Sequence, residues 1–246
     1  MAASVEVDGQ FRLKREGAKL QWNMADTAAL EAALTLRGQD GTVTVLTMGP
    51  EKLGEALKEL LARGADRAVL LTDRCLAGAD TQATARALAV AVEKLGNFDA
   101  AFCGSKALDG ETGQVPGELA AALGWSCVTN AESVRRRGEN LILARRMETC
   151  MQMLSADLPL VVSFCPYCYC LRLAGIASMR RARGKEIERW NASALGLPPS
   201  ECGLAGSATR VLSAQARFPG LRNGPKEENL DAGFSRLKAM LKEAEP

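Results

Sequence analysis

The chain has 246 residues, 47% of them hydrophobic, with a formal net charge of +2 and no histidine. That length supports one large domain, or one domain with an extension, and the composition is that of a globular chain rather than a disordered one. The missing histidine excludes Ser-His-Asp and Cys-His nucleophile systems, HExxH zinc sites and an imidazole proton shuttle, and the near-neutral charge gives no general reason to expect nucleic acid.

No apolar run approaches the length of a membrane span and the N-terminus lacks a signal-peptide core, so a cytoplasmic protein without membrane insertion is expected. The eight cysteines are then expected as reduced thiols rather than a disulfide framework.

Residues 1–22 alternate weakly through Val5, Val7, Phe11 and Leu13, which suggests a short hairpin near Asp8-Gly9. Apolar residues at helical spacing predict a helix over Thr27 to Leu36, with Asn23 or Asp26 as its N-cap. Thr42 to Thr47 reads as a buried β-branched strand and Glu51 to Arg63 as an amphipathic helix closed by Gly64. Arg67 to Thr72 is the next strand, and Asp80 caps a helix from Thr81 to Leu95 that Gly96 ends. Strands alternating with helices imply right-handed βαβ units and an open, mostly parallel sheet covered by helices.

After Gly124 the pattern changes. Val128 to Arg137 and Leu141 to Leu154 read as strands about a Gly138-Glu-Asn140 turn, and Leu158 to Phe164 as another buried strand. Arg172 to Glu186 is basic and partly helical. Trp190 to Asn229 has no sustained period and is punctuated by proline and glycine, so it is expected to be either disordered or laid on a partner, and its apolar residues Leu195, Leu204, Val211 and Leu212 favour the partner. Leu230 to Lys242 is an amphipathic helix. The expected division is an α/β domain over 1–189 and a partner-wrapping arm with its helix over 190–246.

The central stretch runs from Phe98 to Glu118. An apolar run, Ala100 to Cys103, precedes a glycine and polar loop, and a helix follows with Pro116 in its first turn. Strand, loop and helix start in that order place ligands at the carboxyl edge of an α/β sheet. Gly104, Gly110 and Gly113 admit a close backbone approach, the helix N–H groups favour phosphate, and Asp109 and Thr112 suit a ribose or phosphate. The same pattern also suits a simple βα turn.

Cys165-Pro-Tyr-Cys168-Tyr-Cys170 has a glutaredoxin-like dithiol at its start. Cys165, Cys168 and Cys170 therefore admit three readings: ordinary thiols, a thiol–disulfide oxidoreductase, or a metal site joined by Cys150 or Cys202. The first is favoured, because most of the chain precedes the motif and CxxCxC is not a usual structural zinc spacing. A nucleotide-binding regulatory protein without redox function is a further alternative.

From Val5 onward the chain resembles the β subunits of electron transfer flavoproteins, including their nitrogen-fixation and carnitine-pathway homologues. The resemblance rests on Asn23-Met-Ala-Asp26, Val45-Leu-Thr-Met48-Gly-Pro, Gly64-Ala-Asp-Arg-Ala-Val-Leu-Leu71, Gly78-Ala-Asp-Thr81, the loop from Gly104 to Val115, Leu158-Pro-Leu-Val-Val162 and Gly203-Leu-Ala-Gly-Ser207. It implies a domain of the adenine-nucleotide-binding hydrolase-like class, paired with a larger electron transfer flavoprotein α subunit that holds most of the electron-transferring FAD. The β site would hold AMP or a second FAD, on Asn23, Asp26, Met48, Gly104, Ser105, Ala107, Asp109, Thr112, Gly113 and Gln114. A flavin dehydrogenase would exchange electrons with the complex, docking on Ile176 with Arg180 and Arg181 as a basic rim.

The chain departs from this family in three places. The family's opening strand and Lys-Gln-Val-Pro-like loop are missing from these residues, so the natural product is expected to start roughly 15–20 residues upstream. Thr149-Cys150 replaces the paired glycines beside Glu148, and Tyr169-Cys170-Leu171-Arg172 keeps only the arginine of a common Asn-Glu-Pro-Arg segment.

Overall fold

A computed structural model describes residues 21–213 and 229–243. The hairpin expected near Asp8-Gly9 and most of the expected partner-wrapping segment lie outside the described residues. By its contacts the chain divides into two units, Arg15–Val211 and a smaller one of Met1–Lys14 with Leu212–Pro246. The boundary expected at 189/190 falls inside the larger unit.

The first half of that unit follows the predicted order. It comprises α1 (Met24–Leu36), β1 (Thr44–Met48), α2 (Leu53–Ala62), β2 (Arg67–Leu71), α3 (Thr81–Leu95), β3 (Ala100–Gly104) and α4 (Val115–Leu123). Local chemistry accounts for the boundaries. The Asn23 side chain accepts from Ala25 N–H and Asp80 accepts from Ala83 N–H, so each supplies one of the acceptors that a helix start otherwise lacks. Gly64 and Gly96 stand at φ of +120° and +118°, a region where a side chain is strained, and both end their helices as expected.

The second half corrects one expectation. The run from Leu141 to Leu154 is two strands, β5 (Asn140–Arg146) and β6 (Met151–Ala156), not one. Met147 N–H donates to Cys150 C=O at 2.8 Å and closes a turn between them. That turn contains no glycine, which is why composition hid it. With β4 (Ser126–Arg137) they form an antiparallel meander, and β7 (Leu160–Phe164) joins it to β3. All five residues of β7 are buried, as suits a strand with parallel neighbours on both sides. The remaining elements are α5 (Ile176–Arg183), β8 (Glu188–Trp190) and the short α6 (Ala192–Leu195).

Among the described residues the strands form two sheets rather than one. The order is β1-β2-β8, all parallel, and β3-β7-β4-β5-β6, parallel at the β3 end. Helices cover both, in keeping with an α/β fold. Two helices serve both sheets at once. In α1, Ala28, Ala29 and Ala32 pack on the five-stranded sheet while Leu30 reaches the other. In α3, Ala85 and Ala89 pack on the five-stranded sheet, and Ala87 and Ala91 on the three-stranded one. Alanine at these positions allows close helix approach and leaves the strand side chains to fill the layer.

β4 changes partners along its length, pairing with β7 first and β5 later, and a bulge around Asn130 makes the change. The buried Ser163 hydroxyl of β7 accepts from the Asn130 N–H, and Tyr169 Oη accepts from Val134 N–H at 3.0 Å. Tyr169 in turn meets Phe164 edge-on at 5.9 Å, so the segment after β7 is held by its aromatic residue.

Residues 191–202 also belong to the larger unit. Ala192, Leu195, Leu197 and Cys202 are buried against β2 and α3, so Leu195 is a core residue rather than a surface for a partner. Leu204, Val211 and Leu212 are exposed. Of the smaller unit, α7 (Leu230–Glu243) is described, with Leu230, Phe234 and Leu237 all exposed.

Arg172, the arginine retained from the common family segment, pairs with Glu31 of α1 and also donates its backbone N–H to that carboxylate at 3.0 Å. Partial burial opposes ionisation of Glu31, but the hydrogen bonds and charge of Arg172 outweigh it and hold its pKa below the ordinary value of 4.5. A depressed carboxylate stabilises the fold above its unfolded pKa and ceases to as pH falls through the folded one. Arg172→Met should therefore lower stability by about 1 kcal/mol at neutral pH, the half-exposed arginine keeping the effect small. Urea titrations should show the gap from wild type closing as pH falls below 4.5.

Candidate functional site

The N-terminus of α1 meets the carboxyl end of β3, and the N-termini of α3 and α4 meet each other. α1 is tied at β3 by two side chains. Asp26 accepts from Gly104 N–H at 2.7 Å. Asn23 donates to Lys106 C=O at 2.7 Å and to Asp26 at 3.0 Å while capping its own helix. Of the two N-cap candidates, Asn23 is thus the cap. Gly104 is required by proximity: a Cβ there would lie 2.7 Å from Asp26 Oδ1 and 2.9 Å from Ala25 Cβ.

The loop from Ser105 to Gln114 rises beside this tie and is largely exposed, including Ala107, Asp109, Thr112, Gly113 and Gln114. Gly113 has φ of +66° and Glu111 φ of +49°, so the chain curls before α4 begins. Unlike α1 and α3, α4 has no side-chain cap, and Pro116 removes one N–H from its first turn. The remaining first-turn N–H groups and the positive end of the helix dipole suit an anion. Met48, the last residue of β1, pairs with Leu71 and packs on the cluster around Val69 and Leu71 of β2.

A second constellation was not singled out by residue role in the sequence. Asp80 Oδ2 accepts from Thr209 N–H and Oγ, and Ser207 Oγ accepts from Asp80 N–H at 2.8 Å. The Gly78–Thr81 and Gly203–Ser207 motifs therefore meet in space. Gly203 is forced there, since a Cβ would lie 2.1 Å from Cys75 O. Thr81 Oγ lies 3.2 Å from Gln114 Oε1 and 3.0 Å from Glu118 Oε1, which links the α3 start to the α4 start. The signal in the sequence was the pair of motifs itself, which carries no distance information.

Residues 10–195 match the family model described as the electron transfer flavoprotein domain. The chain belongs to the electron transfer flavoprotein family. It is similar to the protein FixA of Bradyrhizobium diazoefficiens, 40% identical over 217 residues that cover 83% of this chain and 75% of the relative. It is likewise similar to the electron transfer flavoprotein subunit beta of Thermoanaerobacterium thermosaccharolyticum, 39% identical over 203 residues, covering 82% and 78%. The caffeyl-CoA reductase-Etf complex subunit CarD of Acetobacterium woodii is 37% identical over 199 residues, covering 80% and 76%. These matches place the chain among the β subunits of electron transfer flavoproteins, with electron transfer as the function.

Within this family fold the cysteine cluster has no chemistry of its own on view. Cys165 follows β7 in a turn and not at a helix N-terminus, the setting that would stabilise a thiolate. Burial pushes the Cys165 and Cys168 thiols up from their ordinary value, the wrong direction for a redox dithiol. Cys168 Sγ instead donates to Cys165 C=O at 3.0 Å. Among the described residues no group of three or more Cys, Asp or Glu side chains is placed to hold a metal ion. The oxidoreductase and metal readings therefore have no support. No helix among the described residues is long and apolar enough to cross a membrane.

The docking candidate Ile176 opens α5 with 71% of its surface exposed, and Arg180 and Arg181 lie on the same exposed helix. Ala182 is the residue by which α5 is anchored in the core.

Asp26 has an open side, yet protein surrounds its carboxyl group, and desolvation raises its pKa above 3.8 despite the Gly104 and Asn23 hydrogen bonds. A raised acid pKa means that the fold binds the proton more tightly than the unfolded chain, so stability falls as pH rises from 3.8 through the folded value. Asp26→Asn keeps an acceptor for Gly104 N–H and removes the charge. Its melting temperature relative to wild type should be higher at neutral pH than at pH below 3.8. A constant difference at all pH values would mean that the charge is not what is strained.

Proposed function

We propose that this β subunit binds an adenine nucleotide, AMP or FAD, at the carboxyl edge of β3 and pairs with an electron transfer flavoprotein α subunit that holds most of the FAD. The single observation that carries the nucleotide reading is the uncapped start of α4 beside the glycine-bearing loop that leaves β3. Such a start offers N–H donors and a dipole to phosphate, while Ser105, Asp109 and Thr112 offer hydroxyl and carboxylate groups to phosphate and ribose. Gly104, Gly113 and Gln114 would set the backbone against the nucleotide, with Ala107 flanking and Met48 closing from β1. Asn23 and Asp26 would act mainly by holding α1 to the loop. The flavin supplies the redox chemistry when bound, and the protein supplies position and electrostatics.

Asp109→Ala and Thr112→Val should each weaken nucleotide retention by about 1–3 kcal/mol, if each removes a hydrogen bond to a charged or buried group. Nucleotide released from the purified complex and identified by mass gives the readout, and it also separates AMP from FAD. Unchanged content in both variants would reduce the loop to a βα turn.

The exposed apolar residues of the smaller unit and its approach segment suit a large partner surface. Leu230, Phe234 and Leu237 recur at helical spacing along α7, and Val211 and Leu212 are exposed before it. These are the groups we assign to the α subunit, in a cytoplasmic complex. A flavin dehydrogenase would dock at α5, with Ile176 as the apolar anchor and Arg180 and Arg181 as a rim that speeds encounter with an acidic partner. Exposure of Ile176 favours this over a core role. Ile176→Ala should slow electron exchange with the cognate dehydrogenase in stopped-flow flavin reduction and leave melting temperature and flavin content as they are. A lowered melting temperature with unaltered kinetics would return the residue to the core.

A further inference from the structure

Two cysteines outside the cluster after β7 meet in the interior of the larger unit. Cys75 lies in the short turn Arg74–Leu76 that follows β2. Cys202 ends the turn Pro199–Glu201, far along the chain. Cys202 is buried among Val69, Leu71, Leu76 and Leu195, and the half-buried Cys75 packs on the same cluster. The Cys202 thiol acts on Cys75 directly, through a hydrogen bond and through its charge. Backbone contacts fix both partners. Asp73 accepts the Cys75 N–H at 3.1 Å and the Ala192 N–H at 3.2 Å. Leu204 N–H donates to Ala77 C=O at 3.2 Å, and a Cβ on Gly203 would lie 2.1 Å from Cys75 O. The chain beside each cysteine is therefore held against the chain beside the other. A disulfide needs that, since its geometry admits little backbone movement.

We propose that Cys75 and Cys202 are a redox-responsive pair that closes to a disulfide under hydroperoxide and so locks the segment from Gly203 to Thr209 in place. The two thiols differ in access, which sets their order. Cys75 is reachable and meets the oxidant first, whereas Cys202 is 3% exposed and acts second. The Cys75 thiolate attacks one oxygen of hydrogen peroxide, the O–O bond breaks, and a sulfenic acid and hydroxide result. The Cys202 thiolate then attacks the Cys75 sulfur and expels its oxygen as hydroxide, forming the S–S bond. The two hydroxides take up the protons that the thiols gave up. Two thiols and one peroxide thus become one disulfide and two waters, with two electrons passed from sulfur to oxygen. Desolvation, and then the Asp73 carboxylate, pushes the Cys75 thiol up to about 11, so little thiolate is present at neutral pH. The bridge is therefore slow to form and, once formed, hard to reduce, because the reduced pair gains nothing from a stabilised thiolate. The pair answers sustained oxidation rather than cycling as a catalyst. The locked segment is the one that meets Asp80 through Ser207 and Thr209, and Arg210 to Leu212 beyond it are exposed. A covalent tie at Cys202 removes opened states of that segment. None of this depends on a bound nucleotide or an α subunit.

The test treats the full chain, as purified, with hydrogen peroxide, blocks the remaining thiols by alkylation and digests with trypsin without reductant. Mass spectrometry should find residues 75–86 joined to residues 190–210, two hydrogens lighter than the separate peptides, and dithiothreitol should release them. Amide exchange over residues 204–209 and native-state tryptic cleavage after Arg210 should slow severalfold in the bridged protein. Cys75→Ser should abolish both the joined peptide and the slowing while it leaves Cys202 in the core. Peroxide that oxidises only Cys150 or Cys170, that takes Cys75 to a sulfinic acid without a bridge, or that pairs either thiol with another cysteine would overturn the proposal. So would a Cys75–Cys202 bridge that leaves exchange over residues 204–209 unaltered.

Discussion

The organisation of the larger unit depends on the tie between the start of α1 and the end of β3. Asp26 accepts the Gly104 N–H, Asn23 donates to Lys106 C=O, and the two side chains bond to each other. The tie lies about eighty residues apart in sequence, so it closes a long loop whose entropy must be met by packing elsewhere. Ala28, Ala29 and Ala32 do that by bringing α1 against β3, β4 and β7. With α1 placed, the loop after β3 has a wall to rise from, and the α4 start is held at the same edge.

A charge in that position has a cost. Asp26 keeps an exposed side, but desolvation of its carboxyl group works against its ionisation. The hydrogen bonds from Gly104 and Asn23 offset part of that, but not all of it. Strain retained at a site edge is what is expected where a group serves binding or positioning rather than stability alone. The contrast with Asp80 is useful. Asp80 also meets desolvation, but bonds from Ala83 and Thr209 outweigh it and its pKa falls below the ordinary value. The same residue type at the start of two neighbouring helices is therefore a fully satisfied cap in one case and a strained tie in the other.

Both sheets share α1 and α3, which makes the gap between them a structural fact about the interior. Helices that pack on two sheets at once hold those sheets at a set spacing even where no strand connects them. The open site edge, the gap and the roofing helices are consequences of one arrangement. Cys103, Cys127, Cys165 and Cys168 fit the same account, because burial raises their thiols and they contribute packing rather than reactivity.

The sequence by itself determined the alternation of strands and helices through Glu118, the cap at Asp80, and the helix ends at Gly64 and Gly96, and it narrowed the α1 cap to Asn23 or Asp26. Each of these is settled by chemistry within a few residues, namely a side-chain oxygen near free N–H groups or a backbone that needs positive φ. It also marked the loop from Gly104 to Val115, because glycine, proline and polar residues after an apolar run are a local signal. It did not reveal the β5–β6 turn, which has no glycine, nor the burial of Leu195, which depends on β2 and α3. Only the tertiary structure decided that Asp26 binds Gly104, that Asp80 meets Thr209, and that Ile176 is exposed. Those outcomes rest on contacts between residues far apart along the chain, and no periodicity or composition carries the distance between them.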